Sequence, residues 1–499
     1  MRNAVRRSTI SDVESQVPAD GPKASTSLFS GTGVLFVSRL IVAALGWVGT
    51  ILIVRSLSRS EWGAFSLIFN VLGLLGLVAD FQTSRIVVRE VLEAGDELDS
   101  LVGSFVAFRV ALGAVMYVIA IGFVVIGGYG HLIVEGVVLG GLSFFISTAA
   151  WALITVCQAR LWLRTIAVSM VVGQTVQLLI IVGLFVGHSH SLLQFVVPFV
   201  IFDVVTLVWM IVAVKRVVRV RPHIQLDRWW HWIKDAAPLA VGSTLGTAYF
   251  RIDGIMLSKL DNVPAVGVYQ IGYKFSDVLA FMAPALLGAV LPQLIRAWPT
   301  HLADFRRTFR QAFIIFFAFG TFATVTFAVL CGPTIATLYG SAYAGAARPA
   351  RLLVIGQGLN LFTQLAFVTL VAAHRRKLYP IATFAGLAVN VTLNFVLIPR
   401  YSATGAGIST IATEVVVLAI LGYAVRDLPI RPLPWRPIAV IATSGCVLVV
   451  ALLAITTVAP WEVALLAALV LYPGLLHVLR IDGPGGLVGF ARSSSFTGS

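Results

Sequence analysis

The amino-acid sequence predicts an all-α integral membrane protein with about 14 transmembrane helices. Three observations carry this expectation. Of 499 residues, 58% are hydrophobic and 12% charged, against about 45–50% apolar and about 25% charged in soluble domains. The apolar residues form continuous stretches close to the roughly 20 needed to cross a 30 Å hydrocarbon core as helix. The basic residues between these stretches concentrate on alternate connections, as the positive-inside rule requires.

The first twenty residues, MRNAVRRSTISDVESQVPAD, hold no apolar run of the kind a cleaved signal carries, so a polar cytoplasmic tail is expected over 1–27. Apolar segments follow near 31–54, 62–82, 101–127, 131–157, 165–187, 192–214, 236–258, 266–295, 311–332, 350–373, 378–398, 404–425, 437–459 and 461–479. With the N-terminus in the cytoplasm, 26 of the 36 Lys/Arg fall on the inner side, 6 on the outer side and 4 within helices. An even helix number and a cytoplasmic C-terminal tail over 481–499 complete the topology. The same asymmetry accounts for most of the net charge of +14, so no nucleic-acid partner is invoked. Cys157, Cys331 and Cys446 lie far apart in apolar stretches and offer neither a disulfide framework nor metal-ligand spacing.

The stretch KRVVRVRPHIQLDRWWHWIKDAAP, 215–238, interrupts the apolar pattern. Asp227 would cap a short helix, and Trp229, Trp230 and Trp232 suit the headgroup level. Residues 215–235 therefore read as a basic, aromatic interfacial linker between two lobes. The flanking halves repeat weakly. At an offset of 204, Ile51, Arg55, Gly63 and Phe65 fall on Ile255, Lys259, Gly267 and Tyr269. At an offset of 213, Arg164, Gly173 and Gln177 fall on Lys377, Gly386 and Asn390. Six helices per repeat give two lobes of the same orientation, 28–214 and 236–425, related by a pseudo-twofold along the membrane normal around a central cavity. The helices of 436–480 are an appendage.

A charge at a helix centre costs about 2.5–3.5 kcal/mol on insertion scales. Those inside the segments must therefore face protein or water. They are Arg39, Arg109, Arg251 and Lys274, with Asp80, Asp203, Asp253, Asp277 and Glu414. Arg39 and Arg109 lie eight residues, about 12 Å, from the inner end of their helices. Arg251 and Lys274 lie nearer the outer leaflet. Interhelical ion pairing is the expectation for Asp80, and Glu414 is left open between pairing and function. The four cations are expected to line a hydrated cavity, because arginine grips phosphate oxygens bidentately and lysine supplies a point charge. Asp253, Asp277 and Asp203 would hold those cations or take up a coupling ion, H+ or Na+. No cofactor or metal is expected.

Several of these stretches carry a family likeness. IVRSLSRSEWGAFSLIFNVLGLLGLVADF and RIDGIMLSKLDNVPAVGVYQIGYKFSD resemble the paired helix 1–2 and 7–8 signatures of the MOP exporter superfamily. VAAHRRKLYPIATFAGLAVNVTLNFVLIPRYSATGAGISTIATE is similar to the helix 10–12 pattern of its polysaccharide-flippase (Wzx-like) branch, through Asn390, Asn394, Pro399, Gly405 and Gly407. The resemblance covers about residues 30–425. It implies alternating access and the movement of undecaprenyl-pyrophosphate-linked oligosaccharide from the inner to the outer leaflet of a bacterial plasma membrane. Partners would be the lipid-linked oligosaccharide, the bilayer, and a polysaccharide polymerase and glycosyltransferases; a monomer is expected. FVSRL, 36–40, resembles the first-helix arginine motif of the lipid II flippases, but the second arginine of that motif falls on Leu45. A drug/cation antiporter fits less well, because the first segment carries a cation where a coupling carboxylate is needed. An enzyme is not expected. The longest outer connection, 333–349, holds one charge, Arg348, and no nucleophile–base pair or phosphate loop is present.

Overall fold

The computed structural model describes residues 23–479 except 81, 216, 220, 222, 376 and 377; of the predicted tails, 1–22 and 481–499 lie outside the described residues, and 23–27 are not tail but the start of the first helix. The elements are α1 (Lys23–Ser56), α2 (Arg59–Asp80), α3 (Ser84–Glu93), α4 (Leu98–Ile126), α5 (His131–Gly141), α6 (Ser143–Ala159), α7 (Leu163–Val186), α8 (Leu192–Val214), α9 (Leu226–Leu260), α10 (Val263–Ala297), α11 (Leu302–Tyr339), α12 (Ala347–Ala372), α13 (Leu378–Val425), α14 (Trp435–Val458) and α15 (Trp461–Val478). No strand occurs among the described residues.

Eleven helical stretches among the described residues are long and apolar enough to cross a membrane. Side chains such as Val118, Ile126, Val450 and Val470 are exposed, which such a composition permits only if the surrounding solvent is lipid. The chain is a multi-pass membrane protein. α13 holds two of the predicted segments: the backbone turns back at Ser402, where φ is 54° and ψ −138°. A Cβ on Gly405 would stand 2.3 Å from the Leu397 carbonyl oxygen, so the return is tight. The predicted fourth segment is two helices, α5 and α6, meeting at Leu142. α9 and α10, which carry the internal charges of the second half, are not among the eleven.

Two features depart from expectation. α3 fills what reads as a loop. Its buried residues Val87 and Val91 are four apart and share one face, while Arg89 and Glu93 pair at 2.9 Å in solvent. The predicted interfacial helix is the first turns of the continuous α9. Trp229 and Trp232, three apart, face α4 and α3: Trp232 Nε1 donates to Glu90 at 2.9 Å and Trp229 Nε1 to Ser104 at 3.0 Å. Trp232 is wholly buried, and only Trp230 of the three is exposed. The i, i+3 spacing sends two of the rings inward.

The packing scheme occurs twice. In the first lobe α1 lies on α7, α2 on α5, α4 on α6, and α7 on α8; in the second, α9 lies on α13, α10 on α12, and α11 on α12. α14 and α15 pack outside the second lobe against α11, with Tyr472 donating to the Ala318 carbonyl at 2.9 Å. We call the side where α1 begins the near face and the side where it ends the far face.

The lobes meet at the far face through α2, α9 and α10. Gly63 and Gly267, the pair matched by the internal repeat, touch: a Cβ on Gly267 would lie 3.0 Å from the Gly63 nitrogen, and one on Gly63 would lie 2.3 Å from the Val263 carbonyl oxygen. Equivalent residues meet in this way where a twofold axis passes. Trp62 Nε1 donates across the seam to the Gly267 carbonyl at 2.9 Å. The repeat-matched cations act alike. Arg55 donates to the Leu338 and Thr337 carbonyls at 2.8 and 2.7 Å, at the end of α11. Lys259 donates to the Gly127 carbonyl, at the end of α4, and stands 3.6 Å over the Tyr129 ring. Each lobe thus caps the third long helix of the other.

Candidate functional site

Polar residues inside apolar helices are costly unless they meet water or one another. In the second lobe they converge. A cavity of about 370 Å³ lies between α9, α10 and α12, lined by Arg251, Gln270, Tyr273, Asp277, Gln357, Asn360 and Gln364, with Pro284, Leu287 and Phe367 toward its near end. Its lining on α10 runs from Gln270 to Leu287, about 25 Å of helix. The far end stops at the seam, because Gly254 and Gly267, each one turn farther out, are packed against α2.

The charges at this cavity are unevenly matched. Arg251 and Asp277 line it and retain exposed surface, whereas Lys274, half-buried, stands beside it and is not one of the lining residues. Lys274 lies within electrostatic reach of both Asp277 and Arg251, so two cations share one carboxylate. None of the three is in an ion pair within 4 Å among the described residues. Cations held in place by helix packing, with their donors free, are suited to a multivalent anion.

Two further carboxylates sit behind the wall. Asp253 is buried and accepts from Tyr269 at 2.7 Å, Asn394 at 2.8 Å and Thr410 at 3.1 Å. Asn394 also donates to Asn390 at 3.0 Å. Tyr269 stacks edge-on to Tyr273, whose ring lines the cavity. Glu414, one turn beyond Thr410 on α13, accepts from Asn360 at 3.0 Å and Thr363 at 3.2 Å, and Asn360 is itself a cavity residue bonded to Gln357 at 3.3 Å. Both acids therefore contact the cavity through neutral side chains.

The remaining predicted residues lie elsewhere. Arg109 is buried in the first lobe and lines none of the cavities found among the described residues. Its Nη1 meets Asp80 Oδ1 at 2.8 Å and the Ala79 and Asp80 carbonyls at 3.3 and 2.5 Å. It neutralises Asp80 and caps the end of α2, which removes it from the expected cavity set and gives Asp80 the expected structural partner. Arg39 is exposed on α1. At 100° per residue it falls between the stripe of Ser38, Gly49 and Ile53, buried against α7, and the flank from which Trp47 meets Phe275 of the second lobe. It thus faces the space between lobes. Asp203, half-buried on α8, bonds Ser143 of α6 inside the first lobe. The structure groups Arg251, Lys274 and Asp277, sets Asp253 behind them, and leaves Arg39, Arg109 and Asp203 apart.

Sequence reasoning missed the amide wall. Gln357, Asn360 and Gln364 are spaced three and four apart in the uncharged stretch of α12 that follows Arg351, and that periodicity was the available signal.

The sequence profile of the family described as "Polysaccharide biosynthesis protein" matches residues 28–298, more than half of the chain. No curated protein sequence is significantly similar. Among solved structures, the lipid II flippase MurJ in an inward closed conformation superposes with a TM-score of 0.73 at 14% identity, covering 90% of this chain and 99% of that one. An inward-facing multidrug resistance MATE transporter of the MOP superfamily gives 0.63 at 15% identity, covering 79% and 98%. A MOP superfamily transporter from Pyrococcus furiosus, described by the reverse polarity of its binding pocket, gives 0.56 at 15% identity, covering 81% and 96%. The two-lobe fold is shared with these transporters, and the chain itself belongs to the polysaccharide biosynthesis protein family.

Proposed function

We propose that this protein is a flippase carrying undecaprenyl-pyrophosphate-linked oligosaccharide from the inner to the outer leaflet of the bacterial plasma membrane, for surface-polysaccharide synthesis. The near face is then cytoplasmic, as the basic connections require. The observation that carries this reading is the cavity lined by Arg251 and closed at the far face, with Lys274 half-buried within electrostatic reach beside it and neither cation in an ion pair among the described residues. The family match supports the polymer pathway. Pyrophosphate or acidic sugar would be held by Arg251 and Lys274, with Asp277 positioning both and Arg39 meeting the head group as it enters between the lobes. The lipid tail stays in the bilayer. The protein performs no bond chemistry in this scheme. It alternates between the observed state, shut at the far face, and one shut at the near face.

An inside-negative potential favours outward movement of an anion by about 2.3 kcal/mol per charge per 100 mV. Coupling to H+ or Na+ is a second element of the proposal, placed at Asp253, whose buried oxygens are met, among the described residues, only by neutral donors. The runner-up reading, a cation-coupled exporter of small compounds, uses the same carboxylate. It differs in cargo, because a cationic compound would be repelled by the cavity cations.

The test uses a cell that depends on this protein for its polymer. Arg251→Gln with Lys274→Gln should abolish surface polymer while lipid-linked oligosaccharide accumulates on the cytoplasmic side. Undiminished export by the double variant, at equal protein level, would overturn the assignment.

A further inference from the structure

On the lipid-facing side of the first lobe, α7 separates two grooves. One, of about 730 Å³, runs between α7 and α8; the other, of about 500 Å³, runs between α1 and α7. About half of the residues that wall each groove are valines, and Val168 lines both, so they join beside the near-face end of α7. The α1 residues that line the second groove, Val34, Val37 and Ile41, are on the opposite flank of that helix from Arg39. The grooves are therefore separate from the space between the lobes.

Where the grooves meet, the charge is all of one sign. Arg164, one turn before Val168, and Lys215, at the end of α8, close the mouth of the larger groove, and among the described residues no carboxylate lines either one. Both cations are exposed, and neither side chain makes an ion pair or hydrogen bond among the described residues. α7 begins here at Leu163, and Trp162 before it supplies no side-chain cap, so its first N–H groups add to a field that favours phosphate.

We propose that one acidic diacyl phospholipid of the near-face leaflet occupies this site: its phosphate sits on Arg164, Lys215 and the start of α7, and its two acyl chains straddle α7, one in each groove. Two chains diverging from one anionic head match two apolar grooves diverging from one basic mouth. Basic pockets between transmembrane helices at the headgroup level recognise anionic lipids by this combination. The oligosaccharide carrier is a poorer match, because a head group held at Arg164 would be outside the interlobe space.

Trp209 lines the larger groove and reports on its contents. The full chain is reconstituted in vesicles containing dibrominated phosphatidylglycerol in phosphatidylcholine, or dibrominated phosphatidylcholine in phosphatidylglycerol. Tryptophan quenching is read for the wild type and for Trp209→Phe, whose difference isolates Trp209. The expected result is half-quenching of Trp209 at a mole fraction about tenfold lower for the acidic lipid. Arg164→Gln with Lys215→Gln should erase that preference. Val168→Phe, which fills the junction without changing charge, should weaken acidic-lipid quenching. Equal quenching by both lipids in the wild type would mean ordinary boundary lipid and would overturn the proposal. So would a preference unchanged in the glutamine pair, or in Val168→Phe.

Discussion

Arg109 and Arg251 look alike in the sequence: each is the one arginine of its predicted apolar segment, 101–127 and 236–258. Their surroundings separate them. Arg109 is buried against Asp80 and two carbonyls, whereas Arg251 keeps accessible surface at the cavity. Arg109→Gln should leave the half-buried Asp80 carboxylate and the carbonyls at the end of α2 without their charged donor and cost about 1–3 kcal/mol, read as a lower Tm of the detergent-solubilised protein. Arg251→Gln should leave Tm nearly unchanged and lower polymer export about tenfold to a hundredfold, the worth of a hydrogen bond to a charged ligand. The opposite pattern would exchange their roles. Asp253→Asn keeps the shape of its hydrogen-bonding cluster and removes the charge. It should abolish any dependence of export on an imposed proton or sodium gradient while the protein remains folded.

At the scale of elements, the sequence was most legible where periodicity and lipid thickness act together. The apolar segments coincide with helices because a backbone in hydrocarbon has no alternative partner for its polar groups. Boundaries and joints were less legible. α3 was hidden because ten residues with a buried pair of valines look like a polar loop when read for membrane spans. The start of α9 was read as a separate interfacial helix because its tryptophans fit a headgroup level; only the position of α3 and α4 turns Trp229 and Trp232 inward. The contact of α2 with α10 offers a direct test. Gly63→Val places a branched side chain where even a Cβ would stand 2.3 Å from a carbonyl oxygen. The seam should be wedged open. The readout is faster labelling of Ser258→Cys, whose native hydroxyl meets Tyr129 of the first lobe at 2.8 Å, by a membrane-impermeant thiol reagent from the far face, with the exposed Cys446 replaced by serine. Unchanged labelling would mean that the seam yields without opening.

For the whole molecule, the internal repeat carries the mechanism. Arg55 and Lys259, equivalent by the repeat, each hold the other lobe at a helix end. Both are largely exposed, so each contact contributes only about 1 kcal/mol to the far-closed state. Removing both, Arg55→Ala with Lys259→Ala, should move the equilibrium toward the far-open state by about tenfold to thirtyfold. Spin-label distances across the far face would show this, with each single variant producing roughly half of the free-energy shift. An unchanged distance distribution in the double variant would show that the packing of α2 on α10, with the glycine contact and the Trp62 hydrogen bond, holds the seam without these two cations.

The sequence by itself determined the membrane setting, the helix pattern, the two-lobe repeat and the list of charges too costly to leave in lipid. These are properties of composition and period, which act along the chain. Which charges meet the cargo was decided only by tertiary structure. A buried ion is defined by its partner, and the partners lie far off in the chain: Asp80 for Arg109 is 29 positions away, and Asn394 for Asp253 is 141. The cavity exists because three helices distant in sequence turn their few polar faces toward one another, and no single helix encodes that meeting.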